Sequence, residues 1–152
     1  MLDILPRAPG TGVPSLNTQF KVWLQQHALK TADIEWMRRE LDTFTYIPLI
    51  SIVMPVYDTE AIWLRKAIQS VQSQLYPNWE MCIVDDASTK NHIIPILDEY
   101  AASDPRIRVK QLSKNRGIAG ASSEALAMAM GEFIGFLDHD DELTSDALWE
   151  VA

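Results

Sequence analysis

From Leu49 onward, short apolar runs alternate with amphipathic stretches. Leu49 to Met54 predicts a first strand, stopped by Pro55. Trp63, Leu64, Ala67, Ile68 and Val71 recur at helical spacing, and the Tyr76-Pro77-Asn78 turn follows. Trp79 to Val84 predicts a second strand that ends at Asp85-Asp86. Ile94, Leu97 and Tyr100 mark a helix over 93–102, broken by Asp104-Pro105. Ile107 to Leu112 is the third strand, and a small-residue helix over 119–130 is closed by Gly131. Phe133 to Leu137 reads as a buried fourth strand. Thr144 or Ser145 then caps a last helix through Leu148 and Trp149. Strands separated by helices imply an α/β fold with parallel pairing and right-handed crossovers. Near-continuous apolar strands imply a sheet covered on both faces.

The chain upstream of this pattern reads differently. Residues 1–16 hold Pro6, Pro9, Gly10, Gly12 and Pro14, the composition of an irregular arm. Phe20, Trp23, Leu24 and His27 fall on one helical face. A second helix from Ala32 to Leu41 has Asp33 and Glu35 early and Arg38 and Arg39 late, which suits the helix dipole. The predicted organisation is an arm over 1–16, a helical preface over 17–47 packed on the main domain, and an α/β domain over 48–152.

Composition narrows the function. Apolar residues make up 47% and charged residues 22% of the 152, ordinary for a globular chain. The net charge of -8 argues against a general nucleic-acid binder. The single cysteine, Cys82, lies in an apolar run and reads as a buried thiol; it excludes a disulfide framework within the chain. No run approaches the ~18 apolar residues of a membrane span. The N-terminal residues are too short and too acidic for a secretory signal. A cytoplasmic location is expected, with the inner face of the membrane as a work site.

Polar residues collect at the predicted carboxyl ends of the strands, where open α/β sheets bind ligands near the topological switch point. The first strand ends in Pro55-Val56-Tyr57-Asp58, and the second in Asp85-Asp86-Ala87-Ser88-Thr89. The third is followed by Lys114-Asn115-Arg116-Gly117, and the fourth by Asp138-His139-Asp140-Asp141. Two like charges ~4 Å apart repel by about 4 kcal/mol at an effective dielectric near 20. A hard divalent cation relieves that cost and prefers oxygen ligands. With strand order 3-2-1-4, Tyr57 and the acidic cluster face one crevice. An aromatic can stack on a base, Asp86 can accept from a base N–H, Arg116 can supply a cation, and a metal in the cluster can polarise a diphosphate. Each element alone also reads as packing, turn or cap chemistry. Their assembly at one sheet edge points to a ligand site.

Together these segments resemble the family 2 inverting glycosyltransferases of the GT-A fold, with its Rossmann-like nucleotide-binding half. The resemblance rests on Ser51 to Tyr57, Ala67 to Gln74, Asn78-Trp79-Glu80, Ile83 to Thr89, Asn115 to Ala119, and Gly131 to Ile134 running into Leu137 to Leu143. It covers residues 49–152 with order and spacing kept. The Asp-His-Asp-Asp-Glu-Leu form is most similar to bacterial enzymes that build O-antigen, rhamnan or similar surface polysaccharides. Asp58 stands where the family usually has Asn, Ser123 where Asn is common, and Lys90 replaces a frequent Asp.

The resemblance implies metal-dependent transfer of a sugar from a UDP- or dTDP-linked donor, with inversion, to a growing glycan or lipid-linked glycan. Pro55, Val56 and Tyr57 would line the nucleoside pocket, and Asp86 would bind the base with Asp85 beside it. Asp58, Arg116, Asp138 and His139 complete the donor-binding set. Asp138 and Asp140 would form the DxD motif on Mg²⁺ or Mn²⁺, with Asp141 sharing the metal and His139 turned away from it. The family's catalytic base lies in the acceptor half, beyond Ala152, so no catalytic residue is carried over and an uncovered sheet edge or face is expected. The alternative is a non-catalytic nucleotide-binding or assembly module. A phosphoacceptor receiver would need its acidic pair after the first strand. A sugar-nucleotide pyrophosphorylase would need a Gly-rich basic loop there.

Overall fold

The computed structural model describes residues 15–152. Most of the predicted arm lies outside them. The chain divides into two compact units, Met1–Glu35 and Trp36–Ala152. In the first unit, Ser15 caps helix α1 (Leu16–His27), its hydroxyl accepting from Thr18 N–H at 3.2 Å. Helix α2 (Thr31–Leu41) opens in this unit, where Lys30 N–H donates to Asp33 Oδ2 at 2.9 Å. The division between the two units thus falls inside α2. No helix among the described residues is long and apolar enough to cross a membrane.

The second unit is built on a four-stranded parallel sheet of order β3-β2-β1-β4, the predicted order. The strands are β1 (Ile50–Val56), β2 (Trp79–Asp85), β3 (Ile107–Gln111) and β4 (Phe133–Phe136). The helices are α3 (Ala61–Gln72), α4 (Ile93–Ser103), α5 (Gly117–Leu126) and α6 (Ala147–Val151). Side chains alternate across the sheet and so build two apolar layers. Ile50, Ile52, Met54 and Val56 of β1 join Leu64 and Ile68 of α3, Leu97 of α4 and Leu148 of α6. On the opposite face Val53, Cys82 and Val84 meet Ala121 and Ala125. The small residues of α5 fill this thin second layer. Cys82 is fully buried there, and burial pushes its thiol pKa up.

Three predicted boundaries move, each for a local reason. β1 runs through Pro55 to Val56. Val53 C=O accepts from Leu137 N–H and Val56 C=O from Asp86 N–H, so odd-numbered β1 residues direct their backbone toward β4. The last β1–β4 pair is Val53↔Phe136, so the N–H that Pro55 lacks would have had no strand partner. α5 stops at Leu126 because the next turn is held elsewhere. The Arg108 guanidinium donates to Met128 C=O at 2.5 Å, and Met130 N–H donates to Glu80 Oε1 at 2.5 Å. α6 starts after Asp146, whose side chain makes no cap bond. Thr144 and Ser145 contribute backbone carbonyls instead, to Gln74 Nε2 and Leu75 N–H.

β4 corrects a further expectation. It is an edge strand, and Phe133, Ile134 and Phe136 are 55%, 38% and 66% exposed. Its apolar run therefore does not make it buried, whereas β1 and β2 are buried throughout. The approach of β4 to β1 depends on Gly131. A Cβ there would lie 2.6 Å from Leu49 O and Ser51 Oγ and 2.8 Å from Ser51 N. Two of these atoms are backbone and cannot swing away. Gly131→Ala is expected to lower unfolding stability by about 1–3 kcal/mol, measured by urea denaturation.

Candidate functional site

A cleft of about 380 Å³ opens at the carboxyl end of the sheet, where β1 and β4 diverge. Pro55, Val56 and Tyr57 form its β1 wall. Val56 is fully buried, whereas Tyr57 is 44% exposed and presents ring surface. Asp86 enters from the end of β2, and Asp138, His139 and Asp140 from the end of β4. Asn115, Gly117, Ile118 and Ala121 close the fourth side.

Asp86 is 2% exposed and fixed at both ends. Its N–H donates to Val56 C=O at 2.8 Å, continuing the β1–β2 ladder by one bond. Its Oδ1 accepts Arg116 N–H at 2.7 Å. The second carboxylate oxygen thus stays available on a rigid mount. Asp85, also buried, receives Ser88 N–H at 3.3 Å on both oxygens and shapes the turn after β2. Between them and Ser88, Ala87 takes φ +59°, a left-handed conformation uncommon for alanine. Gly117, at φ +73°, makes the sharp entry to α5, with its N–H on Asn115 Oδ1 at 3.0 Å.

Four residues expected at the ligand lie outside the cleft lining. The guanidinium of Arg116 is paired to Glu124, which Lys110 also holds at 2.7 Å. Those hydrogen bonds, Lys110's foremost, keep the Glu124 carboxyl below its ordinary range. Arg116 serves the cleft through its backbone N–H. The Asp58 carboxylate is turned to the β2 loop, where it accepts from Thr89 and Lys90. Desolvation raises its pKa, but these donors outweigh it and the net shift is downward. Asp85 is absorbed in its own turn.

Asp141 faces a neighbouring groove of about 320 Å³ that shares Asp138 with the cleft. Glu142, beside it, pairs with Lys66 at 3.2 Å. Among the described residues no group of three or more His, Cys, Asp or Glu is arranged to hold an ion. The three-carboxylate metal cluster expected from the sequence is therefore not gathered. Asp138 and Asp140 share the cleft without Asp141. The Asp140 side chain is 61% exposed, and His139 Nδ1 lies 3.8 Å from its Oδ1. That nitrogen is buried and makes no hydrogen bond.

Asn115 and Gly117 belong to the strand-end loop read from the sequence without a role of their own, and Ile118 and Ala121 join the lining beyond that reading. The signal was present in the run after β3, where a glycine follows Asn-Arg and small residues recur on the next helix.

The family model described as Glycosyl transferase family 2 matches residues 51–152. The O-antigen biosynthesis protein RfbC of Myxococcus xanthus is 47% identical over 105 residues, which is 69% of this chain and 8% of that protein. The structure of S. aureus TarS in complex with UDP-GlcNAc is similar at 30% identity and TM-score 0.61, over 67% of this chain and 29% of that one. A mannosyltransferase of Pyrobaculum calidifontis, solved with GDP-Man and Mn²⁺, shares the fold at 23% identity and TM-score 0.62, over 85% of this chain and 40% of that one. The chain thus spans less than half the length of each of these proteins.

Proposed function

The chain belongs to glycosyl transferase family 2, and from that premise we propose that its cleft holds the nucleoside diphosphate of a sugar donor. The whole protein would then transfer that sugar, with inversion, to a growing surface glycan. One observation carries the reading: an exposed aromatic, a fixed carboxylate and two further carboxylates, from three different strand ends, face one cleft at the switch point. Tyr57 stacks on the base. The free oxygen of Asp86 accepts a base N–H, as the imide of uracil or thymine offers. Ile118, 68% exposed, supplies apolar surface, and the buried Pro55 and Val56 back the β1 wall.

The carboxylates of Asp138 and Asp140 suit a hard divalent cation, because both donors are oxygens. Two protein ligands would leave coordination positions for phosphate oxygens. Mg²⁺ or Mn²⁺ bound there would act as a Lewis acid on the leaving diphosphate. Asp138 and Asp140 orient that end of the donor, while Asp86 and Tyr57 fix the other.

Titration of the chain with UDP, dTDP and GDP, with and without Mn²⁺, tests this assignment. UDP and dTDP are expected to bind about tenfold more tightly with Mn²⁺ than without it, a gain of about 1.4 kcal/mol. Asp140→Ala should abolish that gain and leave metal-free binding nearly unchanged. A metal gain that persists in Asp140→Ala would remove Asp140 from the site.

A further inference from the structure

Asp58 follows Tyr57 directly and takes φ +44°, in the left-handed region that non-glycine residues rarely occupy. The conformation turns its side chain away from the cleft and onto the loop after β2. Its Oδ1 accepts Thr89 N–H at 2.6 Å and Lys90 N–H at 3.0 Å. Its Oδ2 accepts the Thr89 hydroxyl at 2.8 Å. In return, Asp58 N–H donates to Ser88 Oγ at 3.1 Å. Outside this clamp, the Lys90 ammonium pairs with Glu60 at 2.5 Å, and His92 Nε2 meets Thr59 C=O at 2.9 Å.

The clamp begins where the sheet ends. The last paired residues of β1 and β2 are Val56 and Asp85. Beyond them, Tyr57 and Asp86 stand on separate loops, joined only by the bond from Asp86 N–H to Val56 C=O before the Asp58 bonds take over. Ser88, held by Asp58, also donates to Asp85, so the bonds bracket Asp86 on the β2 side. The strained Ala87 sits within that bracket.

We infer that Asp58 is a positioning residue that fixes the separation of the Tyr57 ring and the Asp86 carboxylate, and so the slot that takes the nucleobase. This rests on the nucleotide reading above. The geometry also states what another side chain would do. Asparagine tolerates left-handed φ and keeps an acceptor oxygen for both N–H groups, and its amide can donate to the Thr89 hydroxyl. Alanine loses all three side-chain bonds and sits poorly at positive φ.

The test compares wild type, Asp58→Ala, Asp58→Asn and Asp104→Ala for binding of UDP and of inorganic pyrophosphate, both with Mn²⁺. Asp104 holds Arg106 through paired bonds of 3.0 and 2.8 Å next to the start of β3, away from the cleft, so its loss serves as a control for general destabilisation. Asp58→Ala is expected to weaken UDP about tenfold, as loss of charge-assisted hydrogen bonds implies, while pyrophosphate is unchanged. Asp58→Asn should restore UDP binding to within about threefold, and Asp104→Ala should leave both ligands alone. If wild type binds UDP and Asp58→Ala binds it equally well, or loses UDP and pyrophosphate together, the positioning role is wrong. If wild type binds no nucleotide, the nucleotide reading itself fails, and this inference with it.

Discussion

Replacing Glu80 by alanine is expected to cost about 2–4 kcal/mol of unfolding free energy at neutral pH, because it removes the buried carboxylate of an ion pair whose Arg108 side chain stays 35% exposed. Glu80 is 5% exposed on a central strand. Its Oε1 accepts the Ser51 hydroxyl at 2.6 Å and Met130 N–H at 2.5 Å, and its Oε2 accepts the Arg108 guanidinium at 2.6 Å. Ser51 Oγ in turn accepts Gly131 N–H at 2.8 Å. One carboxylate therefore ties β2 to β1, to β3 and to the turn that leads into β4. Alanine would leave the Arg108 charge without its carboxylate and Met130 N–H without an acceptor. Such a loss is a large fraction of a typical stability of roughly 5–15 kcal/mol.

The pH dependence of that difference identifies the charge. Burial pushes the Glu80 carboxyl up, but the hydrogen bonds from Ser51, Met130 and Arg108 outweigh it and hold it below its ordinary range. A depressed carboxylate contributes stability above its unfolded pKa, near ~4.3, and loses it as pH falls through the folded value. The gap between wild type and Glu80→Ala should thus be flat from neutral pH down to about pH 5 and shrink below about pH 4. Glu80→Gln, which keeps an acceptor for Ser51 and Met130 but no charge for Arg108, should fall between them. Equal urea midpoints for wild type and Glu80→Ala at pH 7 would show that the network adds nothing.

Asp86→Ala is expected to have the largest effect on ligand binding. Two interactions go at once. The free carboxylate oxygen no longer accepts the base N–H, and Arg116 N–H loses its acceptor at the lip of α5. A hydrogen bond to a charged group contributes about 1.5–3 kcal/mol, which alone corresponds to roughly 10- to 150-fold in affinity. We expect nucleotide affinity to fall about 100-fold, with little change in unfolding midpoint because Arg116 lies on the surface. Asp86→Asn separates the two contributions. The amide oxygen can still accept from Arg116, while the charge presented to the base is lost.

Much of this fold was legible in the chain. Four apolar runs separated by amphipathic helices dictated a parallel sheet, and the chemistry fell at its carboxyl ends. Periodicity could not show where backbone groups find partners. Pro55 reads as a strand stop, yet β1 continues because its β4 side is already unpaired there. The apolar run of β4 reads as buried, although an edge strand can carry the same residues in the open. At the site, the sequence located the loops but not the direction of their side chains. Left-handed φ at Asp58 and Ala87 turns one carboxylate away from the cleft and frames another, and no pattern of residue types encodes that choice. Arg116 reads as a cation for the ligand because it is charged. Its nearest anion, Glu124, sits eight residues further along the same segment.

The central claim is that the cleft between the ends of β1 and β4 binds a nucleoside diphosphate through Tyr57 and Asp86. Calorimetric titration of UDP in Mn²⁺ into wild type and Asp86→Ala tests it most directly. The account predicts saturable one-to-one binding to wild type and an affinity about 100-fold lower in the variant, by loss of the base and loop contacts together. Equal affinity in the two proteins, or no heat from wild type at millimolar UDP, would contradict it.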